Sequence, residues 1–139
     1  RGIGLKTGVA SSSSQSWVRD HLERLGILGL FECIRCRDDV KQVKPAPDLF
    51  LAALECLGIA PGEAVAIEDS PNGVLAAKAA GMLCVAVPNV ITSGQDLSRA
   101  DVVLPSLAGA TPESLAASLG LTVSRCESGS SPVEETRPA

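Results

Sequence analysis

Short apolar runs alternate along the chain with stretches whose apolar residues recur at helical spacing. Residues 5–10 form the first such run, largely apolar and ending in the serine block Ser11 to Ser14, which reads as a strand entering a polar turn. Val18, Leu22 and Leu25 then fall three and four residues apart, which predicts a helix over 16–25, capped from the serine block and ended by Gly26. Residues 31–36 predict a second strand. Lys44-Pro45-Ala46-Pro47 reads as a stiff, extended connector, after which Asp48 can cap a helix running to Leu57 and stopping at Gly58. Residues 63–67 predict a strand whose end is acidic, Glu68-Asp69, followed by a Ser70-Pro71-Asn72-Gly73 turn and an alanine-rich helix over 74–80. A nearly continuous apolar strand over 82–87, a further strand over 101–104 and a helix over 112–119 complete the pattern.

Strands that are apolar throughout and alternate with helices are the mark of a parallel sheet covered on both faces, so the expected class is α/β, a doubly wound Rossmann-like sheet. The organisation expected is one domain over residues 1–122 and a polar, Ser-, Glu- and Pro-rich tail, 123–139, expected to be disordered. In such sheets ligands sit beyond the C-terminal ends of the strands. That rule singles out Ser11 and Ser12, Glu68 and Asp69, with Lys44 arriving from a connector.

Composition narrows the function more than the fold. A chain of 139 residues with 12 basic and 16 acidic side chains carries a formal charge of -4 and offers no basic field for nucleic acid or anionic lipid. No apolar run reaches the ~20 residues that cross a bilayer. The start of the chain lacks the blocks of a secretory signal, and a cytoplasmic protein acting on a small soluble ligand is the expectation. The five cysteines, Cys33, Cys36, Cys56, Cys84 and Cys126, are odd in number and lie in apolar segments, which suits reduced thiols better than a disulfide framework. The chain begins at Arg1 rather than Met, which fits a segment of a longer polypeptide.

The strand-end residues are those a transferring phosphoryl group needs. Its equatorial oxygens call for hydrogen-bond donors and positive charge, together with a divalent cation. Ser11 can donate a hydroxyl, and the Ser12 amide can point out of a helix N-terminus. Lys44, on a stiff connector, is a point charge for phosphate. Glu68 and Asp69 suit Mg2+, which takes one or two carboxylates and keeps several waters. Each group also has a plainer reading: serines capping a helix, a solvated lysine, an acidic helix cap. Asn72-Gly73 makes a turn in most settings. Cys33 and Cys36, three apart on a strand, point to opposite faces and have no second pair to complete a zinc site. His21, flanked on its helix by charged residues, reads as surface, and Trp17 as a helix packing residue.

Taken in order, Gly8-Val9-Ala10-Ser11-Ser12-Ser13-Ser14, Val43-Lys44-Pro45-Ala46-Pro47-Asp48 and Ile67-Glu68-Asp69-Ser70-Pro71-Asn72-Gly73 resemble three motifs of the haloacid dehalogenase superfamily. The subgroup resembled holds β-phosphoglucomutase and phosphoglycolate-phosphatase-like enzymes, and the likeness extends over residues 3–119. It implies that Ser11 binds the phosphoryl group, Ser12 offers its amide, Lys44 neutralises phosphoryl and nucleophile, Asp69 binds Mg2+ and Glu68 acts on the metal or its waters. The superfamily's nucleophile is the first Asp of an Asp-x-Asp pair on a preceding strand, and none of the ten residues before Ser11 is acidic. The resemblance therefore implies a core lacking its nucleophile strand and its cap, with that strand belonging between those that end in Ser11 and Asp69.

The leading expectation is a phosphatase acting through an aspartyl-phosphate on a small phosphorylated metabolite. The alternatives are a phosphosugar mutase of the same fold, a non-catalytic or truncated member, and a signalling receiver-like module. The order Ser11, Lys44, Glu68-Asp69 argues against the last, in which the acidic pair comes first. Substrate and oligomeric state are not legible.

Overall fold

The computed structural model describes residues 4–121, so the expected tail lies outside the described residues from position 122 on. Among the described residues five strands and four α-helices follow one another as β1 (Gly8–Ala10), α1 (Gln15–Arg24), β2 (Cys33–Arg35), α2 (Asp48–Leu57), β3 (Val65–Glu68), α3 (Pro71–Ala79), β4 (Leu83–Ala86), β5 (Val102–Val103) and α4 (Pro112–Ser118). Every strand pairing is parallel, and the architecture is the expected Rossmann-like α/β type.

Side-chain alternation explains how helices come to cover both faces around β1 and β2. Ile34 and Cys36 cluster with Val18 of α1, while Val9 packs against the same group. Cys33 and Gly8 look the other way, toward α2: a methyl group on Gly8 would lie 3.1 Å from Leu57 Cδ1 and 3.3 Å from the Cys33 carbonyl. Glycine thus leaves the end of the Leu57 side chain close room against β1. A second and larger core joins Phe50 and Leu54 of α2, Ala66 of β3, Val74, Ala76 and Ala77 of α3, and Cys84 and Ala86 of β4. Small residues on α3 and β4 permit this close packing, as expected of an aliphatic, alanine-rich chain.

Helix ends follow local chemistry. Ser14 caps α1, its Oγ accepting from the Trp17 amide at 3.4 Å. Gly58 ends α2 in the left-handed region at φ 63°, where a residue without Cβ meets no steric penalty. Thr111 caps α4. Other expectations are corrected. Asp48 is the first helical residue rather than a cap; Pro47 takes the cap position, and Asp48 Oδ2 instead accepts from the Gln42 amide at 3.3 Å. The Lys44–Pro45 peptide is cis, and the connector is a tight turn closed by Ala46 N donating to Val43 O at 3.0 Å, not an extended segment. α3 begins at Pro71, three residues earlier than expected, because proline at the first helical position forfeits no hydrogen bond.

The cysteine reading is also corrected. Cys33 of β2 and Cys56 of α2, Cα atoms 6.2 Å apart, form a disulfide. Their 23-residue separation conceals the partnership in the sequence; the packing of α2 on β2 creates it. Cys36 and Cys84 are buried free thiols. Cys36 lies in the cluster around α1, away from Cys33, as the strand alternation requires.

One departure from a sheet covered on both faces bears on function. Among the described residues the strands form two sheets, β1-β2 and β3-β4-β5, and β1 does not pair with β3. Each therefore keeps one edge without a strand partner. Along β3, Ala66 and Glu68 are buried, but the alternate positions Val65 and Ile67 are 38% and 49% exposed. No helix of the described residues is long and apolar enough to cross a membrane.

Candidate phosphate and metal site

Parallel strands bring their C-terminal ends to one side of a sheet, and the loops that follow β1, β3 and β4 carry the polar residues there. Ser11 follows β1 directly: its amide donates to the Arg35 carbonyl at 2.9 Å, and its hydroxyl oxygen accepts from Ser13 N at 3.2 Å. Ser14 does the capping of α1, so Ser11 is not spent on that task. Ser12 is exposed on the same turn.

Lys44 is not a solvated lysine. Its ammonium pairs with Glu68 Oε1, and the two side chains are only 14% and 8% exposed. It also lies 4.7 Å from the centre of the Phe50 ring, an arrangement that attracts a cation to the ring face. An ammonium has three hydrogens to donate, and the pair with Glu68 engages one.

Glu68 ends β3 with its carboxylate turned inward. Gly73 makes room for it: a Cβ on Gly73 would stand 2.8 Å from Glu68 Oε1 and overlap the rest of the carboxylate. The Ser70 hydroxyl, not either acid, caps α3, accepting from Gly73 N at 3.2 Å. The acidic-cap reading of Glu68 and Asp69 is thereby removed. Glu68 also acts on its surroundings: burial, with Glu68 and then Asp101 adding negative charge, pushes the Cys84 thiol up to about 11.

Asp69 is exposed, and its Oδ2 accepts from Asn89 Nδ2 at 2.8 Å. Together with Ile67, Glu68, Val87, Asn89 and Leu107 it lines an open groove of about 350 Å³. A magnesium ion keeps several waters and needs only one or two protein carboxylates. Asp69 with Glu68 beside it fits that mode, although no group of three or more His, Cys, Asp or Glu side chains able to hold a metal is found among the described residues. The described contacts join Lys44 to Glu68 and Asp69 to Asn89; none joins Ser11 or Ser12 to them. A second shallow depression lies on α1 around Trp17, Asp20, His21 and Arg24. There Trp17, 59% exposed, stacks on His21 with ring centres 5.1 Å apart. His21 is half-buried, lying against the Trp17 ring with its Nδ1 2.8 Å from Arg24 Nη2, and Trp17 packs on this neighbour of its own helix and not in the core.

Asn89 was missed from sequence, where Val87-Pro88-Asn89 reads as an ordinary turn after a strand. Phe50 was legible only as a helix residue. Gly73 could have been found, since a glycine in the first turn of a helix, directly after a strand-end acid, is a signal of close approach.

Comparison with known proteins agrees with these motifs. A family model, haloacid dehalogenase-like hydrolase, matches residues 2–87. The chain belongs to this family. YhcW of Bacillus subtilis (strain 168), designated a candidate phosphatase, is 49% identical over 106 residues, covering 76% of this chain and 48% of YhcW. Among solved structures, CbbY from Rhodobacter sphaeroides in complex with phosphate superposes with a TM-score of 0.72 at 36% identity, covering 76% of this chain and 48% of CbbY. β-Phosphoglucomutase from Clostridium difficile gives 0.74 at 28% identity, covering 84% and 49%. The phosphoglucomutase and phosphatase-like subgroup of the haloacid dehalogenase family is thus the one to which the chain is similar. The chain spans about half the length of each of these relatives.

Proposed function

We propose that the chain supplies the phosphate clamp and the acidic metal ligands of a phosphatase acting on a small phosphorylated metabolite, the phosphoryl group passing through an aspartate outside these 139 residues. The observation that carries this reading is the burial of the Lys44 ammonium against Glu68 at the end of a parallel strand. Withdrawing two charges from water costs several kcal/mol for each ion before their attraction is counted, and the fold makes room for the pair with a glycine. A purely structural strand end would be served by an apolar residue.

In this reading Ser11 donates its hydroxyl, and Ser12 its amide, to the equatorial oxygens of the phosphoryl group. Lys44, held by Glu68 and the Phe50 ring, places positive charge beside it. Asp69 would hold Mg2+, with Glu68 acting on the metal or its waters, and the ion would supply charge neutralisation at the phosphoryl group. That the similar CbbY was solved in complex with phosphate supports a phosphate-type anion as the ligand of such a fold. The unpaired edges of β1 and β3 suit a further parallel strand that joins the two sheets. Such a strand would deliver its C-terminal residue between Ser11 and Asp69, where an aspartate could attack phosphorus.

A phosphosugar mutase would use the same clamp and differ in where the phosphoryl group goes next. A cytoplasmic setting goes with either reading; the buried free thiols Cys36 and Cys84 suit it, and the Cys33–Cys56 disulfide counts against it. The test is to compare residues 1–139 with the intact polypeptide, using p-nitrophenyl phosphate and Mg2+. Turnover is expected from the intact polypeptide only, and abolished there by Asp69→Asn. Robust turnover by residues 1–139 would overturn an external nucleophile, and an unaffected Asp69→Asn would overturn the metal assignment.

A further inference from the structure

We propose that Asn89 is a positioning residue, whose side-chain amide fixes the orientation of the Asp69 carboxylate and so sets the affinity of the metal site. The inference rests on the reading of Asp69 as the magnesium ligand and adds the group that aims it.

The loop after β4 is anchored to β3 at the point where the acids begin, because Val87 N donates to the Glu68 carbonyl at 2.7 Å. Two residues further on, Asn89 is held from several directions. Its Oδ1 accepts from Ile91 N at 2.8 Å and Thr92 N at 3.1 Å, and its own amide donates to Thr92 Oγ1 at 3.0 Å. Its carbonyl accepts from Thr92 N at 3.2 Å and Ser93 N at 2.9 Å, and Thr92 is 7% exposed. Two N–H donors on one side-chain atom identify that atom as the oxygen. The NH2 group is then the part that faces Asp69, and it donates to Oδ2 at 2.8 Å.

The consequence is entropic as well as electrostatic. Asp69 is exposed, and a carboxylate there would sample several rotamers if water were its only partner. A donor whose own rotamer is already set by two hydrogen bonds to its Oδ1 holds Oδ2 without further ordering and commits the carboxylate to one orientation. Partners that orient a metal ligand in this way change metal affinity by roughly 10- to 100-fold when removed. The exposure of Asp69 favours the lower end.

The plainer alternative is that Asn89 only closes its own loop through Oδ1. Asn89→Ser separates the two roles: a serine hydroxyl can accept from the amide two residues on but is too short to donate to Asp69. In the intact polypeptide, Mn2+ binding is measured by the loss of the free-ion electron paramagnetic resonance signal. Asn89→Ser should weaken binding about tenfold with an unchanged melting temperature, Asn89→Ala should weaken it equally, and neither should add to the defect of Asp69→Asn. Wild-type Mn2+ affinity in Asn89→Ser, alongside lost binding in Asp69→Asn, overturns the positioning role and leaves the metal assignment standing. Undiminished binding in Asp69→Asn overturns both.

Discussion

Replacing Gly73 with alanine puts a methyl group where the Glu68 carboxylate lies, and so tests the connection between the first turn of α3 and the buried ion pair. On helix propensity alone the change should stabilise by up to about 1 kcal/mol. Against this stands overpacking, about 1–3 kcal/mol where a packed site must shift to admit a methyl group. The atoms that must shift are those that pair with Lys44. Leaving a buried charge without its partner costs about 3–5 kcal/mol in the limit, but Glu68 can move without leaving Lys44 entirely, and the pair retains some access to water. The expected net loss is therefore about 2 kcal/mol, read as a lowered midpoint of urea unfolding. The double-mutant cycle makes the reasoning specific: in a Glu68→Ala background the obstruction is gone, and Gly73→Ala should be neutral or stabilising by up to about 1 kcal/mol. The coupling between the two positions is then about 2–3 kcal/mol. Gly73→Ala as stable as the parent protein, or equally harmful in both backgrounds, would refute the close approach as the reason for the glycine.

Lys44→Met should destabilise by about 2–3 kcal/mol by leaving Glu68 buried without its cation, and Lys44→Met with Glu68→Gln should recover most of that loss in the same unfolding assay. Asp101 accepts from Lys78 at 2.7 and 2.9 Å and from Cys84 N at 2.7 Å, and the Lys78 contact holds its carboxyl below the usual range. The stability it contributes is present above the unfolded carboxylate value of about 3.9 and lost as pH falls through the lower folded value, so Asp101→Asn should flatten acid unfolding below about pH 4. For Cys84, whose thiol is pushed up to about 11, the sign is reversed: its contribution is full below the unfolded value of about 8.5 and lost as pH rises toward the folded one. Iodoacetamide at pH 8 should accordingly leave Cys84 unmodified in the folded protein and alkylate it in urea, as followed by mass spectrometry; rapid modification of the native protein would contradict the burial.

Local chemistry made the order of strands and helices legible in the sequence. Gly26 and Gly58 end helices, Ser14 and Thr111 cap them, and the apolar runs of β3 and β4 read as strands because such signals act over a few residues. Ser11, Lys44, Glu68 and Asp69 stood out for the same reason, as polar residues at strand ends or on a connector that feeds them. Tertiary structure decided what these residues touch. Lys44 meets Glu68 across 24 residues, Asn89 meets Asp69 across 20, and Cys33 meets Cys56 across 23. None of these separations matches a helix or strand period. The gap between β1 and β3 likewise belongs to the tertiary level, because an apolar segment announces that it will pair but not with which neighbour. Pairing depends on hydrogen-bond partners and packed faces contributed from elsewhere in the chain, and these exist only once the helices have closed on the sheet.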